Sequence, residues 1–274
     1  MLRAAPMADP VVLAPTAASA VPAPPVSPVL VSIVVPVRNE GPNILPLIGE
    51  IRAALADTAL ADIPAEIVYV DDGSTDDTAA RLAEAAALPE LRLVRRRHRR
   101  PGGQSAAILT GVRAAGGTWI ATLDGDGQND PADIPALLAR ALAEERAGGA
   151  PVLVTGHRTR RQDSAVKRLG SRVANGVRAA LLRDRTPDTG CGLKLFRRDA
   201  FLALPHFDHM HRFLPALFLG AGGRAVSVPV NHRSRLGGRS KYGTLDRLGV
   251  GLVDLAGVWW LLRRWPRPEL DPGP

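Results

Sequence analysis

Short runs of β-branched and aliphatic residues alternate along the chain with longer stretches whose apolar positions recur at helical spacing. This is the pattern of successive βαβ units. The first run, Val31-Ser32-Ile33-Val34-Val35, is followed by a polar turn and by helical periodicity from Ile44 to Leu55. A second, Ile67-Val68-Tyr69-Val70, ends at Asp71-Asp72-Gly73-Ser74, where Ser74 and Asp77 have the spacing of a capping box and predict a helix over 75–87. Leu91 to Val94 predicts a third strand, with a helix from Gln104 to Ala115 behind it. Trp119 to Leu123 predicts a fourth, which runs directly into Asp124. Pro131 fits the first turn of a helix reaching Glu145, and Val152-Leu153-Val154 predicts a fifth strand.

Beyond Gly156 the regular alternation loosens. A basic helix over 164–182, a turn at 186–192, strands at 193–196 and 225–230 and a short helix over 210–219 are expected, then a long helix from Leu245. The expected fold is α/β, a mostly parallel Rossmann-like sheet over 30–242, with no internal repeat. In such sheets ligands bind beyond the carboxyl ends of the strands. Asn39-Glu40, Asp71-Asp72 and Asp124-Asp126 all follow strand ends, so they are expected to share one crevice.

The two ends of the chain differ from this core. Residues 1–29 carry seven prolines and almost no charge, which forbids a continuous helix and reads as a disordered arm. Asp9 and those prolines interrupt the apolar stretch that a secretory signal needs. At the other end, Leu245, Leu248, Leu252, Leu255, Trp259 and Leu262 recur at three- and four-residue steps over 243–265. With Trp260, Trp265, Arg263 and Arg264 this amphipathic helix suits a membrane headgroup boundary. Residues 266–274 read as a tail. No stretch reaches the roughly 20 apolar residues of a spanning helix.

Composition narrows the partners. A net charge of +8 and a pI near 10.8 favour an anionic partner. Cys191 is the single cysteine, which excludes an internal disulfide and a multi-cysteine metal site and fits a reducing compartment. The expected location is cytoplasmic, peripherally on the inner face of the membrane. Arg95 to Arg100 form a dense basic run, but without interleaved aromatics it reads as a solvated or lipid-facing loop, and no nucleic acid is expected. His206, His209 and His211 lack the ligand spacing of a zinc site and read as surface or acceptor-loop histidines.

Asp124-Gly125-Asp126-Gly127-Gln128 carries the chemistry. Two carboxylates separated by glycine can turn toward one point, and hard oxygen ligands with Gln128 as a neutral third suit Mg²⁺ or Mn²⁺. Such a cation neutralises charge developing on a diphosphate leaving group. The first βα turn reads Pro36-Val37-Arg38-Asn39-Glu40, which excludes the glycine fingerprint of a dinucleotide-binding fold, and no Walker A loop is present.

Val35 to Glu40, Val70 to Ser74 and Asp124 to Gln128, in that order and spacing, resemble the inverting family 2 glycosyltransferases of the GT-A fold. The likeness is strongest to the polyprenol-phosphate sugar transferases, typified by dolichol-phosphate mannosyltransferase, over roughly residues 31–242. The resemblance implies that Pro36, Asn39, Glu40, Asp71 and Asp72 hold the nucleotide. Asp124, Asp126 and Gln128 would hold the metal, the two aspartates also facing the sugar nucleotide. Lys167 and Ser171 match a basic helix that binds phosphate, and Arg235, Ser240 and Lys241 match the Arg-x-x-Gly-x-Ser-Lys loop over donor diphosphate and acceptor phosphate. Asp188 to Lys194 is similar to a further family region, with lysine where arginine is usual, and Arg212 lies in an acceptor-side segment.

The implied activity is transfer of a hexosyl group, mannose or glucose, from a GDP- or UDP-hexose to a polyprenyl phosphate with inversion. Asp126 is the first candidate to assist as a base and Asp188 the second. The alternatives are a GT-A transferase acting on a saccharide or other hydroxyl, and a non-catalytic protein that binds sugar nucleotides or serves as a scaffold.

Overall fold

Seven strands form one sheet in the order β3-β2-β1-β4-β6-β5-β7. The computed structural model describes residues 30–56, 63–88, 92–158, 176–233 and 244–265. Strands β1 (Val31–Val37), β2 (Ala65–Asp71), β3 (Leu93–Arg97) and β4 (Trp119–Thr122) are parallel, as their short aliphatic runs predict. β1 lies between β2 and β4, so the strand order reverses there and leaves a crevice at the carboxyl edge. β5 (Val152–Arg158) and β7 (Arg224–Val230) run parallel to each other, while β6 (Lys194–Arg197) is antiparallel to both β4 and β5. The antiparallel strand brings its amino end to the edge where the others end: Lys194 is opposite Thr122 and Thr155.

Helices cover both faces. α1 (Gly41–Ala56), α2 (Thr78–Ala86) and α4 (Ile134–Arg146) bury Ile44, Ile48, Ile51, Leu82, Leu137 and Leu138 on one side. On the other side α3 (Gly103–Ala114), the helical residues 176–182 (α5), α6 (Arg198–Leu202), α7 (Leu214–Gly220) and α8 (Thr244–Arg264) enclose a second core. Phe196 stacks on Phe201 at 4.8 Å within it and also meets Phe218.

Several expected boundaries move, each for a local reason. α2 begins at Thr78 rather than 75, because the Ser74 hydroxyl accepts the Asn39 amide at 2.9 Å instead of capping a helix. The residue at the cap position, Asp77, makes no side-chain cap bond, and the first helical amide, Thr78, is met instead by Asp76 Oδ1 at 3.0 Å. β3 lies two residues later than expected, so Arg95, Arg96 and Arg97 complete an edge strand rather than a loop. The expected helix at 131 starts as a 3-10 turn, Pro131–Asp133, capped by Asp130. The basic helix is described only from residue 176, so Lys167 and Ser171 lie outside the described residues, as do Arg235, Ser240 and Lys241.

The orientation of α8 is the larger correction. Leu255, Trp259 and Leu262, expected to face a membrane, pack on the second core beside buried Val258, and Trp265 follows them. Asp254 on α8 accepts from or pairs with His209 Nδ1 at 2.9 Å. The helix instead exposes Leu252 (64%), Val253 (73%) and Trp260 (58%), with Arg263 and Arg264 at its end. Among the described residues no helix is long and apolar enough to cross a membrane.

Because Phe196 is fully buried between α6 and α7, Phe196→Ala is expected to cost about 3–5 kcal/mol of stability. Urea denaturation followed by near-ultraviolet circular dichroism checks this, and a loss under 1 kcal/mol would contradict the packing described.

Candidate active site

The crevice is built from loops that share the carboxyl edge of the sheet. After β1, Asn39 adopts a left-handed backbone (φ 55°) and its side-chain oxygen accepts the Thr75 amide at 2.8 Å. The Glu40 amide donates to Thr78 Oγ1 at 3.0 Å and its carboxylate accepts from Asn43 Nδ2 at 2.7 Å. The β1 and β2 turns are thereby tied to each other. Pro36 sits within β1 opposite Val70.

Asp71 and Asp72 have distinct surroundings. Asp71 is buried, accepts the Ser74 amide at 2.8 Å and pairs with Arg97 Nε at 3.1 Å. Asp72 accepts the amides of Gly102 and Gly103 at 2.7 and 2.9 Å and meets His98 Nδ1 at 2.7 Å. Its charge sits on the positive N-terminus of α3, an arrangement favoured by the unpaired amides and dipole of a helix start. Part of the basic run is thus engaged with the acidic turn after β2, which a reading of residues 95–100 as a separate loop missed.

Asp124 leaves β4 into a tight loop in which Gly127 takes φ 74°. Gln104, from the first turn of α3, donates to Asp124 Oδ1 at 2.8 Å, and buried Asn129 receives the Asp124 amide at 3.4 Å. Asp126 is 9% exposed and accepts the Gln128 amide at 3.1 Å. Burial, with the neighbouring Asp126 charge adding to it, pushes the Asp124 carboxyl above the usual carboxylate range; Lys194, Arg158 and the Gln104 bond act in the opposite sense. Two carboxylates that repel each other in a confined loop are suited to a divalent cation, whose charge removes that repulsion. Two carboxylates and a neutral amide oxygen, at Asp124, Asp126 and Gln128, are a donor set whose chemistry suits such an ion. Among the described residues no cluster of three or more His, Cys, Asp or Glu forms an all-protein site.

Cations approach from the other half of the sheet. Lys194 is buried at the start of β6, where its ammonium donates to the Cys191 carbonyl, and burial lowers its pKa. Arg158, at the end of β5, makes a bidentate pair with Asp188 at 2.7 and 2.8 Å. Asp188 also accepts the Arg158 amide at 3.3 Å, so the second base candidate sits in a clamp on an arginine. Buried Arg178 of α5 ties the same loop to Asp184, Thr186 and Thr189. Cys191 is buried among aliphatic side chains, and burial raises its thiol pKa, as fits a packed residue rather than a nucleophile.

A cleft of about 350 Å³ brings these groups together. Asp124, Thr122, Gln104, Lys194, His211 and Arg212 line it, with Ile108 and Leu214 as apolar wall and the 189–192 turn closing one side. Of the sequence-derived candidates, Asp124 and Arg212 line this cleft, while Asn39, Glu40, Asp71 and Asp72 lie along the same edge on the other side of the β1–β4 reversal. Gln104 and His211 were not among the site residues expected, and Lys194 was marked only as the lysine that stands where the family region has arginine. Gly102-Gly103-Gln104 at a helix start was the available signal for the first, whereas nothing in the sequence spacing links His211 to Asp124. Next to the Gln128 loop, the Arg233 amide donates to the Gln128 carbonyl at 3.0 Å and its side chain pairs with Glu50 and Asp130. Asn231 likewise bonds Asp133. These bonds anchor the chain just before the segment containing Arg235, Ser240 and Lys241.

A mostly parallel sheet with an acidic loop at its switch point and cations facing that loop defines a site for a phosphorylated ligand. A model of glycosyl transferase family 2 matches residues 32–204, and the chain belongs to that family. The fold is the GT-A arrangement. The chain is 33% identical over 247 residues to dodecaprenyl-phosphate galacturonate synthase of Rhizobium johnstonii, a match covering 89% of this chain and 70% of the relative. It is 37% identical over 220 residues to undecaprenyl-phosphate 4-deoxy-4-formamido-L-arabinose transferase of Yersinia enterocolitica, covering 80% and 64% of the two chains. Glucosyl-3-phosphoglycerate synthase of Mycobacterium tuberculosis, solved with Mg²⁺ and uridine diphosphate, has the same fold. Its TM-score is 0.61 at 24% identity, over 88% of this chain and 80% of that one.

A β-carbon at Gly192 would collide with the Asp124 carboxylate. Gly192→Ala is therefore expected to displace Asp124 and to weaken Mn²⁺-dependent nucleotide binding at least tenfold, about 1.4 kcal/mol, while the melting temperature falls by only a few degrees. Calorimetric titration and thermal melting, run on the same preparation, separate the two effects; unaltered binding would show that Asp124 does not need this close approach.

Proposed function

We propose that this protein transfers a hexosyl group from a UDP- or GDP-hexose, glucose or mannose, to a polyprenyl phosphate, with inversion. The observation that carries the reading is the meeting of the Asp124–Asp126 loop with Lys194 and Arg212 in one cleft. The acidic pair suits a metal-bound diphosphate, and the cations suit a second phosphate that would otherwise be repelled from it. Relatives named for transfer to dodecaprenyl and undecaprenyl phosphate support the acceptor class.

Bound Mg²⁺ or Mn²⁺ would supply Lewis-acid stabilisation of the departing nucleoside diphosphate. Asp124, Asp126 and Gln128 are its proposed ligands, with Pro36, Asn39, Glu40, Asp71 and Asp72 flanking the nucleotide. Asp72 acts there through α3, whose first turn it holds and whose Gln104 orients Asp124. An acceptor phosphate oxygen attacks the anomeric carbon, a new C–O bond forms, and the bond to the diphosphate breaks with its electron pair leaving on the nucleotide. The second pKa of a phosphomonoester is about 6, so this oxygen is largely anionic at neutral pH and a strong base is unnecessary. Asp126 is the residue we assign to assist. Asp188, clamped on Arg158, is better suited to hold that guanidinium toward the acceptor phosphate than to take a proton. Arg212 faces the cleft as an acceptor-phosphate ligand, and Lys167, Ser171, Arg235, Ser240 and Lys241 are proposed to complete the phosphate contacts.

Peripheral contact with the inner face of the membrane completes the proposal. The outer face of α8, with Leu252, Val253 and Trp260 beside Arg263 and Arg264, has the mixture of apolar and cationic groups that partitions into an anionic headgroup layer.

Asp126→Asn is expected to lower kcat for release of nucleoside diphosphate by a factor of about 100 or more, in assays with Mn²⁺, sugar nucleotide and undecaprenyl phosphate. Wild-type protein that releases none from UDP-glucose, UDP-galacturonate or GDP-mannose would remove the transferase reading. Separately, replacing Leu252, Val253 and Trp260 together by serine is expected to abolish co-flotation with vesicles containing phosphatidylglycerol. Undiminished flotation would move the membrane contact elsewhere.

A further inference from the structure

His211 belongs to the 3-10 turn Met210–Arg212 and is held against the start of α3. Buried Ser105 makes two bonds to it: its Oγ accepts the His211 backbone amide at 3.2 Å and lies 2.8 Å from Nδ1. Proton count then settles the tautomer. If Nδ1 carried the proton, Ser105 Oγ would receive two donors and its own hydroxyl proton would meet no acceptor among the described residues. If the hydroxyl donates to Nδ1, every partner is used, and the imidazole proton is on Nε2. Among the described residues Nε2 has no partner, and the ring lines the cleft beside Asp124, Lys194 and Arg212.

Burial pushes the His211 pKa down to about 3, with Lys194, Arg212 and His209 adding to the effect, so the ring stays neutral at physiological pH. It is therefore a fixed, uncharged donor beside the cationic Lys194 and Arg212, while the neutral amide of Gln104 is already engaged with Asp124. Lysine and arginine serve phosphates; a neutral N–H of settled direction distinguishes an oxygen from its absence. The same turn of α3 places Gln104 on Asp124 and Ser105 on His211, so the donor and the carboxylate share one frame. Ile108 and Leu214 supply the apolar wall on which the C–H face of a sugar can rest.

We propose that His211 donates from Nε2 to a hydroxyl of the transferred sugar and so helps to select it. The inference rests on the transferase reading above and deepens it, because it assigns the sugar subsite to the Gln104–Ser105–His211 side of the cleft.

Calorimetric titration with Mn²⁺ and UDP, GDP, UDP-glucose, UDP-galacturonate and GDP-mannose tests it. His211→Leu is expected to weaken binding of the preferred sugar nucleotide on the order of tenfold, the scale of a lost buried hydrogen bond, while affinity for the matching free diphosphate stays within about twofold. His211→Gln, which keeps a neutral N–H donor, restores part of the loss. Ser105→Ala leaves the imidazole in place without its proton orientation and gives a smaller selective loss, which tests the assignment even if His211→Leu fails to fold. Equal weakening of sugar nucleotide and free diphosphate in the variants, or no weakening of either, overturns the assignment while leaving the transferase reading intact. Wild-type protein that binds none of these nucleotides removes both.

Discussion

The burial of the Asp124 carboxylate, with the charge of Asp126 beside it, is the constraint around which the rest of the site is arranged. A carboxylate half removed from water beside a second one is unstable as an anion, and the raised Asp124 pKa expresses that cost. The fold offsets it without cancelling it. Gln104 donates one neutral hydrogen bond, Lys194 and Arg158 contribute charge from farther away, and Gly192 allows the carboxylate to settle against bare backbone. What remains is an acidic centre with an incomplete ligand set, which is suited to a cation brought in with a diphosphate.

Charge on the two sides of the β1–β4 reversal is handled differently. On the β1–β2 side, acids are tied to local partners: Asp71 to Ser74 and Arg97, Asp72 to the first amides of α3. On the β5–β6 side, cations are held by the carboxylate or carbonyl of a loop, Arg158 by Asp188 and Lys194 by Cys191. α3 connects the two halves, since Asp72 holds its amino end while Gln104 and Ser105 reach Asp124 and His211. A change at Asp72 would therefore be transmitted to the carboxylate loop through one rigid helix start.

Family membership, the α/β class and the acidic centre were legible from sequence because each depends on local order. Short, nearly continuous aliphatic runs predicted the strands of the parallel half, apolar positions at helical period predicted the helices between them, and the Asp124 to Gln128 loop stood out as two carboxylates between glycines. Boundaries slipped where a side chain had two uses open to it. Ser74 could have capped a helix but bonds the Asn39 amide 35 residues away, and Arg95 to Arg97 could have been loop but complete an edge strand.

By itself the sequence determined which chemical groups are available and the order in which strand ends present them. Tertiary structure decided which of those groups meet. β6 runs antiparallel, so Lys194 enters from the edge where the parallel strands end; the 210–212 turn docks on α3, so His211 meets Ser105 across 106 positions of sequence. α8 turns Leu255, Trp259 and Leu262 to the core and leaves Leu252, Val253 and Trp260 outside, because a helix with apolar residues on more than one face is oriented by the surface that packs best against it. Periodicity can mark an apolar stripe, but the choice between two stripes depends on long-range packing that no local spacing records.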